Sequence, residues 1–267
     1  MPTIDAESRK AFIEKCDPIK DMIKAGLKKE SDINTLIQSN PQGSEYKKIE
    51  LADLMIYIAT QYIAISNLSV SILETKNNDA LNDARKVIYK AIIYLEQVVS
   101  NTVDCPYAEL EPRLNSIADF PIKNRYYLVR KLGLVIDLLW TAFGDNSKWK
   151  WSFVDIRGRF AIVSKNLIEM KAAAKNYFDP SSPDYDDTVL YVRLVRNLIE
   201  KSSAEYRDKY ELSTRRIDDM RIAINLLIAK RRIAMILGDK DEAEEIKKKA
   251  TIWKEKMDSD QKAGKTK

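Results

Sequence analysis

Seven glycines and eight prolines are all that punctuate 267 residues. A β-protein of this length reverses direction many times and needs turn residues for each reversal. So few breakers predict long helices instead. The apolar positions agree, because they recur every three or four residues along most of the chain. No segment alternates with period two for long enough to form a strand. The chain is 45% hydrophobic and 32% charged, a balance that supports a folded core. Its length permits one large domain or two small ones.

Phe12, Ile13, Cys16, Ile19, Ile23 and Leu27 predict a helix over 4–29, which Pro18 should kink or split. The stretch Ser39–Gly43 is a break. A helix over 44–75 follows, with Leu51, Leu54, Met55, Ile58, Tyr62, Ile65, Leu68 and Ile72 as its core stripe. The turn Lys76–Asp79 offers N-cap side chains to a helix reaching about residue 102. So short a turn makes these two helices antiparallel neighbours. Cys105-Pro106 and Glu111-Pro112 mark a looser connector.

Pro121 and Gly144 bracket the next helix in the expected order. Asp145-Asn146-Ser147 opens another, running to about Tyr177, in which Gly158 is either a weak point or a close-packing site. After the loop 178–183, Ser182 is placed to cap a helix to about Leu212, with Pro183 in its first turn and Asp184, Asp186 and Asp187 at its positive end. A helix over 214–237 stops at Gly238, and Asp239 with Glu242 has capping-box spacing at the head of a last helix to about Met257. The fold class is therefore all-α, with about nine helices in an antiparallel bundle or helical-hairpin array. The expected organisation is an N-terminal helical hairpin region, 1–104, with 105–257 packed on it as one continuous domain. A polar, basic tail at 258–267 is expected to be disordered.

Residues 54–73 hold 20 positions without a charge, the length of a membrane helix. Six polar residues interrupt them, however, and Asp53, Thr60, Asn67 and Glu74 recur every seventh position. That spacing draws one polar stripe, which suits a central bundle helix with a narrow wet face. The first residues, Met1–Glu7, lack the basic and apolar regions of a signal peptide. Cys16 and Cys105 belong to no C-x-x-C motif and read as buried free thiols. A cytoplasmic location is expected.

The chain has no histidine. That removes the usual general base, the common zinc ligand and every Ser-His-Asp or Cys-His arrangement. Asp184-Tyr185-Asp186-Asp187 reads as decoration of a helix N-terminus. Asp218-Asp219 lacks a further acid at Ile222, and Asp239-Lys240-Asp241-Glu242 lacks the glycine and later glutamate of a calcium loop. No catalytic residue, metal or cofactor is expected, and no small-molecule substrate is evident. A histidine-free enzyme or ligand sensor would need a pocket around groups such as Arg193 and Arg196.

The charge is uneven. The net is +5 overall, −2 over 1–104, +4 over 105–180 and +3 over 181–267. The middle stretch interleaves cations with aromatic rings, and its candidate binding residues are Lys123, Arg125, Arg130, Lys131, Lys148, Trp149, Lys150, Trp151, Arg157 and Arg159. Such a pattern suits phosphates, lipid headgroups or an acidic protein face. Trp149, Phe153, Ile156 and Phe160 also have helical core spacing, which would leave the cations on a solvated opposite face.

Gly238-Asp239-Lys240-Asp241-Glu242-Ala243, with Ala250 seven positions on, resembles part of a tetratricopeptide-type hairpin. The resemblance covers about 214–257. It departs from the family at Arg231, Lys247 and Glu255, where that family favours a small residue, an aromatic and a proline. No 34-residue repeat occurs elsewhere in the chain. The resemblance implies a protein-binding scaffold. The expected function is thus a non-enzymatic scaffold or assembly protein with protein partners, self-association included. The alternative is an adaptor that binds nucleic acid or membrane headgroups through 123–160.

Overall fold

The computed structural model describes residues 5–144, 147–264 and 266. The expectations for Met1–Ile4 and for the Asp145-Asn146 helix start fall outside the described residues. Ten α-helices and a π-helical turn are present among the described residues, and no strand. They form two compact units, one of residues 1–98 with 128–149, the other of 99–127 with 150–267. The expected division lay at residue 104.

The first unit holds α1 (Ala6–Ser39), α2 (Ser44–Leu73), α3 (Asn78–Val98) and residues 128–143 of α5 (Ile122–Phe143). Helix α2 packs against both α1 and α3. Leu51, Met55 and Ile58 of α2 are fully buried, as are Leu81, Ile88, Ile92 and Leu95 of α3. By length and composition α2 could cross a membrane. Asn67 and Glu74 of its predicted polar stripe are exposed, while Asp53 and Thr60 are half-buried. Asn77 starts α3 by accepting the Ala80 amide at 3.0 Å. Helix α1 runs through Pro18 to Ser39 as one element, so of the expected kink or split the split does not occur. Pro18 and Glu14, whose carbonyl loses its amide partner, are both exposed, so water can replace that bond. Glu30 of α1 is buried, accepting from Lys90 Nζ at 3.0 Å and Tyr94 Oη at 2.8 Å across to α3.

The second unit holds α4 (Tyr107–Asn115), the first residues of α5, α6 (Lys150–Asn166), α7 (Met170–Tyr177), α8 (Tyr185–Lys209), the π-turn (Tyr210–Thr214), α9 (Ile217–Ile236) and α10 (Lys240–Lys262). The expected connector at 105–112 is helical, because Pro106 sits at the N-cap, where a missing amide is harmless. The single helix expected to Tyr177 is broken at 167–169. There Glu169 caps α7 by accepting the amides of Lys171 and Ala172. Helix α8 starts at Tyr185, after a turn in which Ser182 Oγ accepts the Asp184 amide at 3.3 Å. Gly238 ends α9 at φ +74°, and Asp239 accepts the Glu242 amide at 3.3 Å, as its spacing predicted. Helix α10 continues to Lys262, so residues 258–262 of the expected tail are helical. Buried Asp260 anchors them by accepting from Tyr210 Oη at 3.0 Å and Lys256 Nζ at 2.6 Å.

Phe153, Ile156 and Phe160 are buried along α6, which packs against α8. Gly158 is a close-packing site. A Cβ there would stand 2.3 Å from Tyr206 Cε2 and 2.9 Å from its hydroxyl. Tyr206 is itself buried, so its ring cannot simply swing away. Alanine gains about 1 kcal/mol in helix propensity, but overpacking costs about 1–3 kcal/mol. Gly158→Ala is therefore expected to lower the thermal unfolding midpoint by several degrees in a circular dichroism melt. An unchanged or raised midpoint would contradict this packing.

Candidate functional site

The basic–aromatic stretch 123–160 runs across the boundary between the two units. Its residues divide between the units, with Arg130, Lys131, Lys148 and Trp149 in the first and Lys123, Arg125, Lys150, Trp151, Arg157 and Arg159 in the second. Arg125 is buried. Its guanidinium donates to the carbonyls of Phe120 at 2.7 Å, Ile117 at 2.8 Å and Leu167 at 3.0 Å. That side chain closes the second unit and leaves the candidate anion-binding set. Arg157 pairs with Glu205 at 2.9 Å, and Lys131 pairs with Asp53. Lys123, Arg130, Lys148 and Lys150 are exposed, whereas Trp151 and Arg159 are half-buried. Lys150 lies 5.1 Å from the centre of the Trp151 ring.

Trp149 sits in a cation-rich setting that residue spacing did not reveal. The Arg85 guanidinium of α3 stacks 4.1 Å from its ring centre, and Lys148 Nζ lies 5.3 Å away. The Phe143 ring is adjacent, with centroids 6.5 Å apart. Arg85 lies 64 positions before Trp149, so only the fold brings the two together.

Elsewhere the charged groups bind one another. Arg196, a candidate ligand group, joins α8 to α10 by pairing with Glu242 and, at 3.2 Å, with Asp239; Arg193 is exposed. Buried Lys230 meets Glu200 at 2.8 Å and Glu242 at 3.1 Å. The hydrogen bond from Lys230 holds the Glu200 carboxyl below its ordinary pKa. Lys209, next to the π-turn, lies 2.7 Å from Asp155 and 3.1 Å from Asp219. Burial opposes its charge, yet the two carboxylates keep its pKa above the ordinary value. Asp219 also accepts from Thr214 Oγ1 at 2.6 Å. Among the described residues, no three potential metal-ligating acids or cysteines converge.

One feature left open is a furrow of about 490 Å³ in the first unit, between α2 and the C-terminal part of α5. Ile63 and Val70 form one wall, and Leu138 and Ala142 the other. Ser66, Asn67, Ser71 and Thr141 add small polar groups, and Lys76 is the one charged lining residue. Lys76 Nζ donates to the Phe143 carbonyl at 3.0 Å, neutralising the negative end of α5. Large apolar side chains stand exposed beside the furrow, with Val70 47% exposed, Leu138 53% and Leu134 58%. Periodicity alone does not single these out, because helical spacing gives no sign of which apolar residues a neighbour covers.

The sequence profile of the TP0443 family matches residues 8–261, and the chain belongs to that family. No curated protein and no solved structure matches it.

The carbonyls bonded to Arg125 assign it a structural role, which a stability measurement tests. Arg125→Met orphans up to two acceptors, the carbonyls of Phe120 and Leu167, since that of Ile117 also accepts the Phe120 amide at 3.0 Å; each orphan costs about 1–3 kcal/mol. Urea unfolding is expected to show a loss of about 3 kcal/mol or more, against about 0.5 kcal/mol or less for exposed Lys123→Met. Equal, small losses for the two variants would contradict that role.

Proposed function

We propose that this chain is a non-enzymatic helical scaffold that works by binding protein partners in the cytoplasm. The observation that carries the reading is the furrow between α2 and α5, with exposed Val70, Leu134 and Leu138 beside it. Apolar side chains gathered along one face, with small polar groups between them, suit docking by another polypeptide. Two free, buried cysteines suit a reducing compartment. The α9–α10 hairpin supports the scaffold reading through its tetratricopeptide-like glycine stop and buried Ala243. The alternative, an adaptor for nucleic acid or membrane headgroups, rests on cations that are divided between two units and partly engaged in internal pairs.

The test is a photo-reactive benzoylphenylalanine placed at Leu138 in living cells. A discrete adduct containing a second polypeptide is expected, and Val70→Asp should abolish it. Irradiation that yields no polypeptide adduct would contradict the proposal.

A further inference from the structure

Helix α5 carries an exposed stripe whose charge order is complementary to itself. Leu134 stands at its centre, 58% exposed, and Leu138 one turn on is 53% exposed. Arg130 and Lys131 lie one turn before Leu134, and Asp137 lies one turn after it, all three exposed. All five residues belong to the first unit.

We propose that the partner covering this face is a second copy of the same chain, docked antiparallel along α5 about a two-fold axis at Leu134. The proposal rests on the protein-binding reading above and adds the identity of the partner. In that pairing, residues equally far from Leu134 in opposite directions face each other. Leu134 meets its counterpart. Asp137 meets the partner's Lys131, twice by symmetry. Leu138 lies under the aliphatic stem of the partner's Arg130. A parallel pairing would oppose Asp137 to Asp137 and Lys131 to Lys131, so the charges select the antiparallel arrangement. Lys131 already pairs with Asp53, but it is half-exposed and has three donors, so it can bridge both carboxylates. One helix face with its flanks is a small interface of the weak, transient kind, so association is sought around a dissociation constant on the order of 100 µM.

Sedimentation equilibrium on the full chain across that concentration range tests the pairing. Wild type is expected to dimerise reversibly. Asp137→Lys and Lys131→Glu each oppose like charges across the axis, so each alone should associate at least tenfold more weakly. An equimolar mixture of the two restores both ion pairs and should form a heterodimer with near wild-type affinity. Circular dichroism melts of each variant show that the fold is retained, and Leu134→Asp provides a second disruption that leaves Lys131 and Asp53 in place. A wild type that stays monomeric overturns the proposal. So does a dimer indifferent to all three substitutions, or a mixture that fails to pair. A monomer that still gives a Leu138 adduct with a different protein overturns self-pairing alone and leaves the scaffold reading standing.

Discussion

The second unit depends on one guanidinium. Helix α4 ends into a turn, α5 begins from it, and α6 stops before α7; each junction leaves carbonyls that no helix can satisfy. Arg125 donates to Ile117 and Phe120 from the first junction and to Leu167 from the second. A lysine could not serve all three, because it lacks the planar fork of five donors. With Leu167 held, Glu169 is placed to cap α7 and to accept from Tyr107 Oη at 2.7 Å. The first unit uses the same logic where Glu30, Lys90 and Tyr94 tie α1 to α3. Buried charge in this chain therefore serves mainly to fasten helices.

Such internal pairing narrows the surfaces available for function. Three cations of the candidate series are engaged internally, by carbonyls at Arg125, by Glu205 at Arg157 and by Asp53 at Lys131. The seam of Arg196, Lys230, Glu200, Asp239 and Glu242 closes on itself. Apolar side chains also stand exposed, among them Val70, Leu134 and Leu138 at the furrow of the first unit. Single exposed leucines are ordinary, but their grouping beside a furrow is the physical ground for proposing a binding surface there.

The all-helical fold was legible because a three-to-four residue repeat needs no tertiary information. So were the wet stripe of α2, the stop at Gly238 and the cap at Asp239. The break at 167–169 was not. Leu167 and Ile168 are apolar and continue the stripe of α6, and the group that holds the broken end, Arg125, lies 42 positions away. Neither of two prolines ends a helix. Pro18 sits on an exposed face that water can repair, while Pro106 caps a helix where a connector was expected. The candidate binding residues were correctly recognised as cations and aromatics, but their partners, Arg85 for Trp149 and Glu205 for Arg157, come from distant helices. The furrow was invisible for a related reason, since an apolar residue at helical spacing looks the same whether a neighbour covers it or not.

The central claim is that the α2–α5 face is covered when the protein is at work. Carbene footprinting compares side-chain labelling in intact cells with labelling of dilute purified protein. The account predicts that Val70, Leu134 and Leu138 lose most of their labelling in cells, while exposed Ile252 and Leu212 keep theirs. Equal labelling of all five residues in both settings would contradict it.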